Sequence, residues 1–279
     1  MQLHVIETGF FKLDGGAMFG IVPKSIWQRY VPADENNMCT WAMRCLLIED
    51  GNRLILIDTG IGDKQSESFF KHYYLHGDDT LLGSIQKAGF SPNEVTDVIL
   101  THLHFDHVGG AVRKQGEKYL LTFPNARYWS NSQHWEWATH PNAREVHSFL
   151  KENFLPIHES GHLHFIEEGQ PSPFEHIDFF FADGHTEKQL IPIIRYGNQR
   201  IVYAADLIPS HAHVPVHYVM GYDVRPLLTF QEKARMLEEA VQHDYVFFFE
   251  HDARYQCARV HRTDKGIRLK DTFPLESIL

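Results

Sequence analysis

The sequence predicts an α+β protein, a four-layer αββα sandwich in which helices lie outside two packed sheets. Two observations carry that expectation. Apolar, strand-like runs gather in both halves of the chain, and each half also holds segments of helical period. No Ser/Gly linker, low-complexity tract or internal repeat divides the halves, so residues 1–279 read as a single domain.

Taken in order, residues 41–49 (WAMRCLLIE) and 53–57 (RLILI) flank the hairpin turn Asp50-Gly51-Asn52. Segments 66–75 and 80–88 read as helices, the second closed by Gly89 as a C-cap. Ser91-Pro92-Asn93-Glu94 supplies an N-cap, a first-position proline and a capping glutamate for a short turn into the buried-strand run DVIL. Two helices are expected over 131–154, separated around Pro141. Strands return at 176–182, 189–195 and 200–205, with Gly197-Asn198 turning between the last two. Thr229-Phe230-Gln231-Glu232 reads as a capping box opening a helix to about His243. The strand YVFFF then ends at Glu250-His251-Asp252.

Bulk properties narrow the function. A formal net charge of −10 argues against a broad basic surface for nucleic acid. No apolar run approaches the ~20 residues of a membrane-spanning helix, and MQLHVIETGF lacks the pattern of a signal peptide. Cys39, Cys45 and Cys257 form no CxxC pair and suit reduced thiols. A cytoplasmic protein is expected, with a small-molecule substrate and without nucleic-acid or membrane partners; a homodimer is left open.

The chemistry concentrates in THLHFDHVGG, residues 101–110. In extended chain, residues i, i+2 and i+4 face one side, so His102, His104 and Asp106 can converge just beyond the DVIL strand. His107 follows directly, and Gly109 and Gly110 permit a sharp bend and a close approach. Imidazole and carboxylate together suit Zn, and accept Mn, Fe, Co or Ni. Three more strand ends carry ligand types: His185 after FFFA, Asp206 after VYAA and His251 after VFFF.

On these motifs the chain resembles the metallo-β-lactamase fold hydrolases, which carry HxHxDH followed by a later His, Asp and His. The run Leu56-Ile57-Asp58-Thr59-Gly60 resembles the strand end that precedes their first metal motif. The resemblance implies that His102, His104 and His185 hold one metal and that Asp106, His107 and His251 hold a second. Asp206 would bridge the two, and Asp58 would orient a ligand histidine from behind. It also implies a hydroxide held between two cations that attacks an ester-like carbonyl or a phosphorus, with Asp106 and Asp206 as the catalytic carboxylates. Two departures stand out: the family's GHTPG is Gly184-His185-Thr186-Glu187-Lys188 here, and Ala205 replaces the glycine common before the bridging aspartate.

The stretch 205–226 (ADLIPSHAHVPVHYVMGYDVRP) resembles that of a subgroup including the YtnP-like lactonases and relatives of methyl parathion hydrolase. By that resemblance His213 and Tyr222 are candidates to contact substrate. His211, His213 and His217 have no accompanying carboxylate in their loop, so pocket lining is expected there rather than a second metal site. The aromatics of residues 10–41 (Phe10, Phe11, Phe19, Trp27, Tyr30, Trp41) fit either an apolar lid over the metal cleft or ordinary core packing. A lactone such as an acyl-homoserine lactone is the first-choice substrate. Behind it stand aryl esters, phosphotriesters, a glyoxalase-II-like thioesterase activity suggested by the basic C-terminal end, and a metal-binding scaffold without catalysis.

Overall fold

Strand register and helix caps follow from the sequence at most points. A computed structural model describes residues 1–279 and resolves into two units. Unit 1 comprises Met1–Gly9 and Met43–Pro171, and unit 2 comprises Phe10–Ala42 and Ser172–Leu279. Each unit takes two separate stretches of chain, which is why no linker composition marks the division.

Unit 1 is built on a six-stranded sheet ordered β1 (Gln2–Ile6), β4 (Cys45–Asp50), β5 (Arg53–Ile57), β6 (Asp97–Ile99), β9 (Arg127–Ser130) and β10 (Leu163–Phe165). β4 pairs antiparallel with β1 and β5, and the Asp50–Arg53 turn is the expected hairpin. The strands β5, β6, β9 and β10 run parallel, so their carboxyl ends lie along one edge. β7 (Val112–Gln115) and β8 (Lys118–Leu121) form a separate hairpin. Helices α3 (Glu67–Phe70), α4 (Leu81–Lys87), α5 (Phe105–Val108), α6 (Ser132–Thr139) and α7 (Lys151–Glu159) complete the unit. Thr80 caps α4 through Gly83 N–H, and Asn131 caps α6. Its core joins Leu47, Leu56, Val98, Leu100, Tyr128 and Phe154, all buried.

Unit 2 holds a second six-stranded sheet, β11 (Ile177–Ala182) through β12 (Gln189–Tyr196), β13 (Gln199–Tyr203), β14 (Val246–Phe248), β15 (Cys257–Thr263) and β16 (Gly266–Phe273), in that order. Only the β13–β14 pair is parallel, and the eighteen-residue helix α8 (Pro226–His243) forms the crossover between them. The hairpin β2 (Phe10–Asp14) and β3 (Met38–Ala42) encloses the short helices α1 (Gly15–Phe19) and α2 (Lys24–Trp27). Phe11, Phe19, Trp27 and Trp41 of this segment are buried, Phe19 stacking on Trp27 at 5.2 Å.

The structure revises four sequence expectations, and the first is the helix expected over 66–75, which spans only Glu67–Phe70. The strand read over 41–49 is two strands, broken at Met43-Arg44, where Arg44 Nε turns to donate to Glu7 at 2.7 Å. The second helix expected before residue 154 starts at Lys151 and continues through Pro156 to Glu159. The helix expected to open at Thr229 begins three residues earlier, with Pro226 in its first turn.

Candidate metal centre

In unit 1 the ends of β5 and β6 bring Asp58 beside the THLHFDHVGG loop. Asp58 has φ 58°, a left-handed turn held by its N–H on Ile99 O. Its Oδ1 accepts from Thr101 N–H at 2.8 Å and its Oδ2 from the Thr101 hydroxyl at 2.7 Å. With that hydroxyl proton committed, Thr101 Oγ1 accepts from His102 Nδ1 at 3.1 Å. Asp58 Oδ2 also receives His107 Nδ1–H at 3.1 Å, and Glu145 Oε1 receives His104 Nε2–H at 3.3 Å. Each outward bond fixes one tautomer and leaves the lone pair on His102 Nε2, His104 Nδ1 and His107 Nε2.

These rings gather tightly: the His102 centroid is 4.5 Å from that of His104 and 3.9 Å from that of His107. Asp106 Oδ2 stands 3.9 Å from His107 Nε2. All four residues are buried. The two glycines of the motif have a steric reason. A Cβ on Gly109 would come within 2.0 Å of Ile61 O, and one on Gly110 within 2.2 Å of Thr59 O. Beside the loop, Phe69, Tyr73 and Phe105 form an aromatic cluster with centroids 4.8–5.4 Å apart. Burial pushes the Tyr73 phenol up to about 12, and the Asp106 carboxylate adds to the shift.

In unit 2 three strand ends meet on one carboxylate. Asp206 Oδ2 lies 3.0 Å from His185 Nε2, and Asp206 Oδ1 lies 3.1 Å from His251 Nε2. The far nitrogens are again held: His185 Nδ1 by Asp223 at 2.8 Å and His251 Nδ1 by the Ala42 carbonyl at 2.8 Å. Both Nε2 atoms therefore present lone pairs to carboxylate oxygens, acceptor against acceptor. Such a pair repels unless a proton or cation stands between. Two ligands of one tetrahedral zinc, each about 2.0–2.1 Å from it, sit about 3.3 Å apart; the donor set fits a metal. Burial disfavours a charged imidazole at His185, yet the Asp206 and Asp223 carboxylates outweigh it and push His185 up to about 10, so a proton fills the gap to Asp206 where no cation does.

The loop carrying His185 is shaped without the Pro-Gly turn of the GHTPG pattern. Lys188 takes the left-handed φ of 48° itself. Its N–H and Nζ reach the two Asp183 oxygens at 2.9 and 3.0 Å. Glu232 accepts from Asp183 N–H at 2.8 Å and Gly184 N–H at 3.0 Å, which is the use the chain makes of the supposed capping glutamate. Ala205 likewise adopts φ 41° in the place where glycine is common.

His213 is fully buried and stacks on Phe19 at 4.6 Å. Its Nδ1 meets Ser210 Oγ at 2.8 Å and its Nε2 meets Met18 O at 2.9 Å, so both nitrogens are committed within the unit. Tyr222 is 40% exposed. His211, read as lacking an acidic companion, has one from a distant strand end: its Nδ1 lies 2.5 Å from Asp252 Oδ2. Sequence reasoning missed Glu145, Asp223, Glu232 and Asp252. Asp223 had a signal, since it directly follows Tyr222 in the segment already singled out.

The family model described as Metallo-beta-lactamase superfamily matches residues 44–246, a span that includes every candidate ligand but His251. The N-acyl homoserine lactonase AiiA of Bacillus thuringiensis subsp. kurstaki is 25% identical over 265 residues, covering 90% of this chain and 93% of its own. A probable metal-dependent hydrolase from Staphylococcus aureus superposes with a TM-score of 0.89 at 27% identity, over 100% of this chain and 98% of its own. AidC, a dizinc quorum-quenching lactonase, matches in fold with a TM-score of 0.79 at 22% identity, over 98% and 95%. No helix is long and apolar enough to cross a membrane.

Proposed function

The chain belongs to the metallo-beta-lactamase superfamily and is a metallo-hydrolase, and on that footing we propose that it opens a small lactone, an acyl-homoserine lactone first, at a site for two divalent ions. In this reading His102, His104 and His185 hold one ion, Asp106, His107 and His251 hold the other, and Asp206 serves both. The observation that carries it is Asp206, whose two oxygens each face Nε2 of a different histidine. Zinc is the metal proposed, because imidazole and carboxylate donors suit it.

When bound, such ions polarise a carbonyl and bring the pKa of a coordinated water to roughly 7. The chain's own residues do the rest. Asp58, Glu145, Asp223 and the Ala42 carbonyl hold the histidine tautomers and ring orientations. Asp106 orients the attacking water and passes its proton towards the leaving oxygen. Phe69, Tyr73 and Phe105 offer an apolar wall beside Asp106 for an acyl chain. Tyr222 is retained as a substrate contact; His213, with both nitrogens engaged, acts as packing.

The lactone is preferred to a thioester on two grounds. The N-acyl homoserine lactonases align over 90% of the chain. Three of the basic C-terminal residues are already used within their hairpin and its neighbours: Arg262 pairs with Glu238, and Arg259 and Lys270 pair with Asp244. We place the protein in the cytoplasm, where its three buried cysteines suit a reducing milieu. Proton release from acyl lactones, aryl esters, thioesters and phosphotriesters, with zinc-loaded wild type and Asp106→Ala, tests the reading. Lactone turnover lost in Asp106→Ala supports it; turnover of another class alone, or of none, rejects it.

A further inference from the structure

We propose that unit 2 carries a second binding site, for a small carboxylate with a short apolar tail. A cavity of about 250 Å³ opens there, lined by none of the seven candidate metal ligands. Its polar wall is Arg254, His211 and Asp252, and its apolar wall is Val31, Pro32 and Trp41.

The placement of Arg254 points to an anionic ligand. The Arg254 guanidinium has no carboxylate partner in the chain; it lies 5.2 Å over the Tyr255 ring, which fixes it beside the cavity. A planar guanidinium held this way is suited to bidentate capture of a carboxylate. Trp41, itself buried, contributes to the apolar side of the cavity.

The acidic residue in the wall does not oppose an anion strongly. Asp252 Oδ2 accepts His211 N–H at 2.7 Å and Nδ1 at 2.5 Å, while Oδ1 accepts Arg254 N–H at 2.8 Å and Tyr255 N–H at 2.9 Å. Four donors therefore spread over its charge. The cavity volume equals that of roughly eight waters, matching a ligand of about eight heavy atoms. Hexanoate has that size, and its tail would lie against Val31, Pro32 and Trp41.

Calorimetric titration of sodium hexanoate into the zinc-loaded protein tests the site, with Arg254→Gln and the neutral hexanamide as controls. Wild type should bind hexanoate at least tenfold more tightly than Arg254→Gln does. Hexanamide should bind wild type about tenfold more weakly than hexanoate, a gap that closes in Arg254→Gln. The Trp41 indole N–H resonance, assigned by its loss in Trp41→Phe, should shift with hexanoate in wild type. Lactone turnover of Arg254→Gln should match wild type, which separates this site from the hydrolytic one. Equal hexanoate affinity in wild type and Arg254→Gln would send the carboxylate to the metals and overturn the proposal. Hexanamide binding as tightly as hexanoate, or no binding at all, would overturn it too. If Trp41→Phe does not fold, the surface substitution at Arg254 still decides.

Discussion

Asp58 Oδ2 lies 3.1 Å from His107 Nδ1, and the same carboxylate takes the Thr101 backbone N–H and hydroxyl. One side chain thus sets the His107 tautomer directly and the His102 tautomer through Thr101. Asp58→Asn keeps the shape but presents an amide N–H to His107 Nδ1, which favours moving the imidazole proton to Nε2. Zinc affinity should fall about 10–100-fold, read by competition with a chromophoric chelator. Unchanged affinity would show that the bond does not govern the ligand.

Glu232 and Thr229 make opposite predictions under the two accounts of α8. A capping box would make Thr229→Ala cost about 1 kcal/mol. In the structure Thr229 lies inside the helix and reaches only Arg225 O, at 3.5 Å, so Thr229→Ala should be nearly silent. Glu232→Ala leaves the Asp183 and Gly184 N–H groups without their acceptor and should cost about 1–3 kcal/mol. Denaturant titration of both variants separates the accounts.

Gly109→Ala should destabilise sharply, by about 3 kcal/mol or more, since its Cβ would overlap the Ile61 backbone. Gly51→Ala is the control: its φ is positive, 63°, unlike the −58° of Gly109, but nothing lies within 4 Å of the added carbon. Its cost should stay near 1 kcal/mol. Thermal melts of both proteins measure the gap.

His213 supplies a pH dependence of stability. Burial and the Lys233 charge push its imidazole from 6.5 down to about 3, so the fold requires it neutral. The unfolded chain binds that proton from pH 6.5 downward while the folded chain resists until about 3. Stability present above pH 6.5 is therefore lost as the pH falls through that window. His213→Gln, which cannot titrate, should show a smaller drop in Tm between pH 7 and pH 5 than wild type; parallel drops would contradict the assignment.

What the sequence disclosed was the chemistry at strand ends, and what it hid was long-range. DVIL, VYAA and VFFF announced their strands, and a histidine or aspartate stands within two residues of the end of each apolar run. The break at Met43-Arg44 was illegible because its cause, Glu7, lies 37 residues away in sequence. Glu145 was hidden for the same reason: it sits in an irregular stretch and its partner His104 is 41 residues distant. The Thr229–Glu232 spacing was read locally although Glu232 serves a loop 48 residues earlier. Lys188 shows the converse, a left-handed turn without glycine, held by Asp183.

The most direct test of the two-ion site is an anomalous difference map at the zinc edge from crystals of the zinc-loaded protein. Two peaks about 3.5–4 Å apart, with the Asp206 carboxylate between them, is the predicted result. A single peak, or two peaks that do not share Asp206, would contradict it.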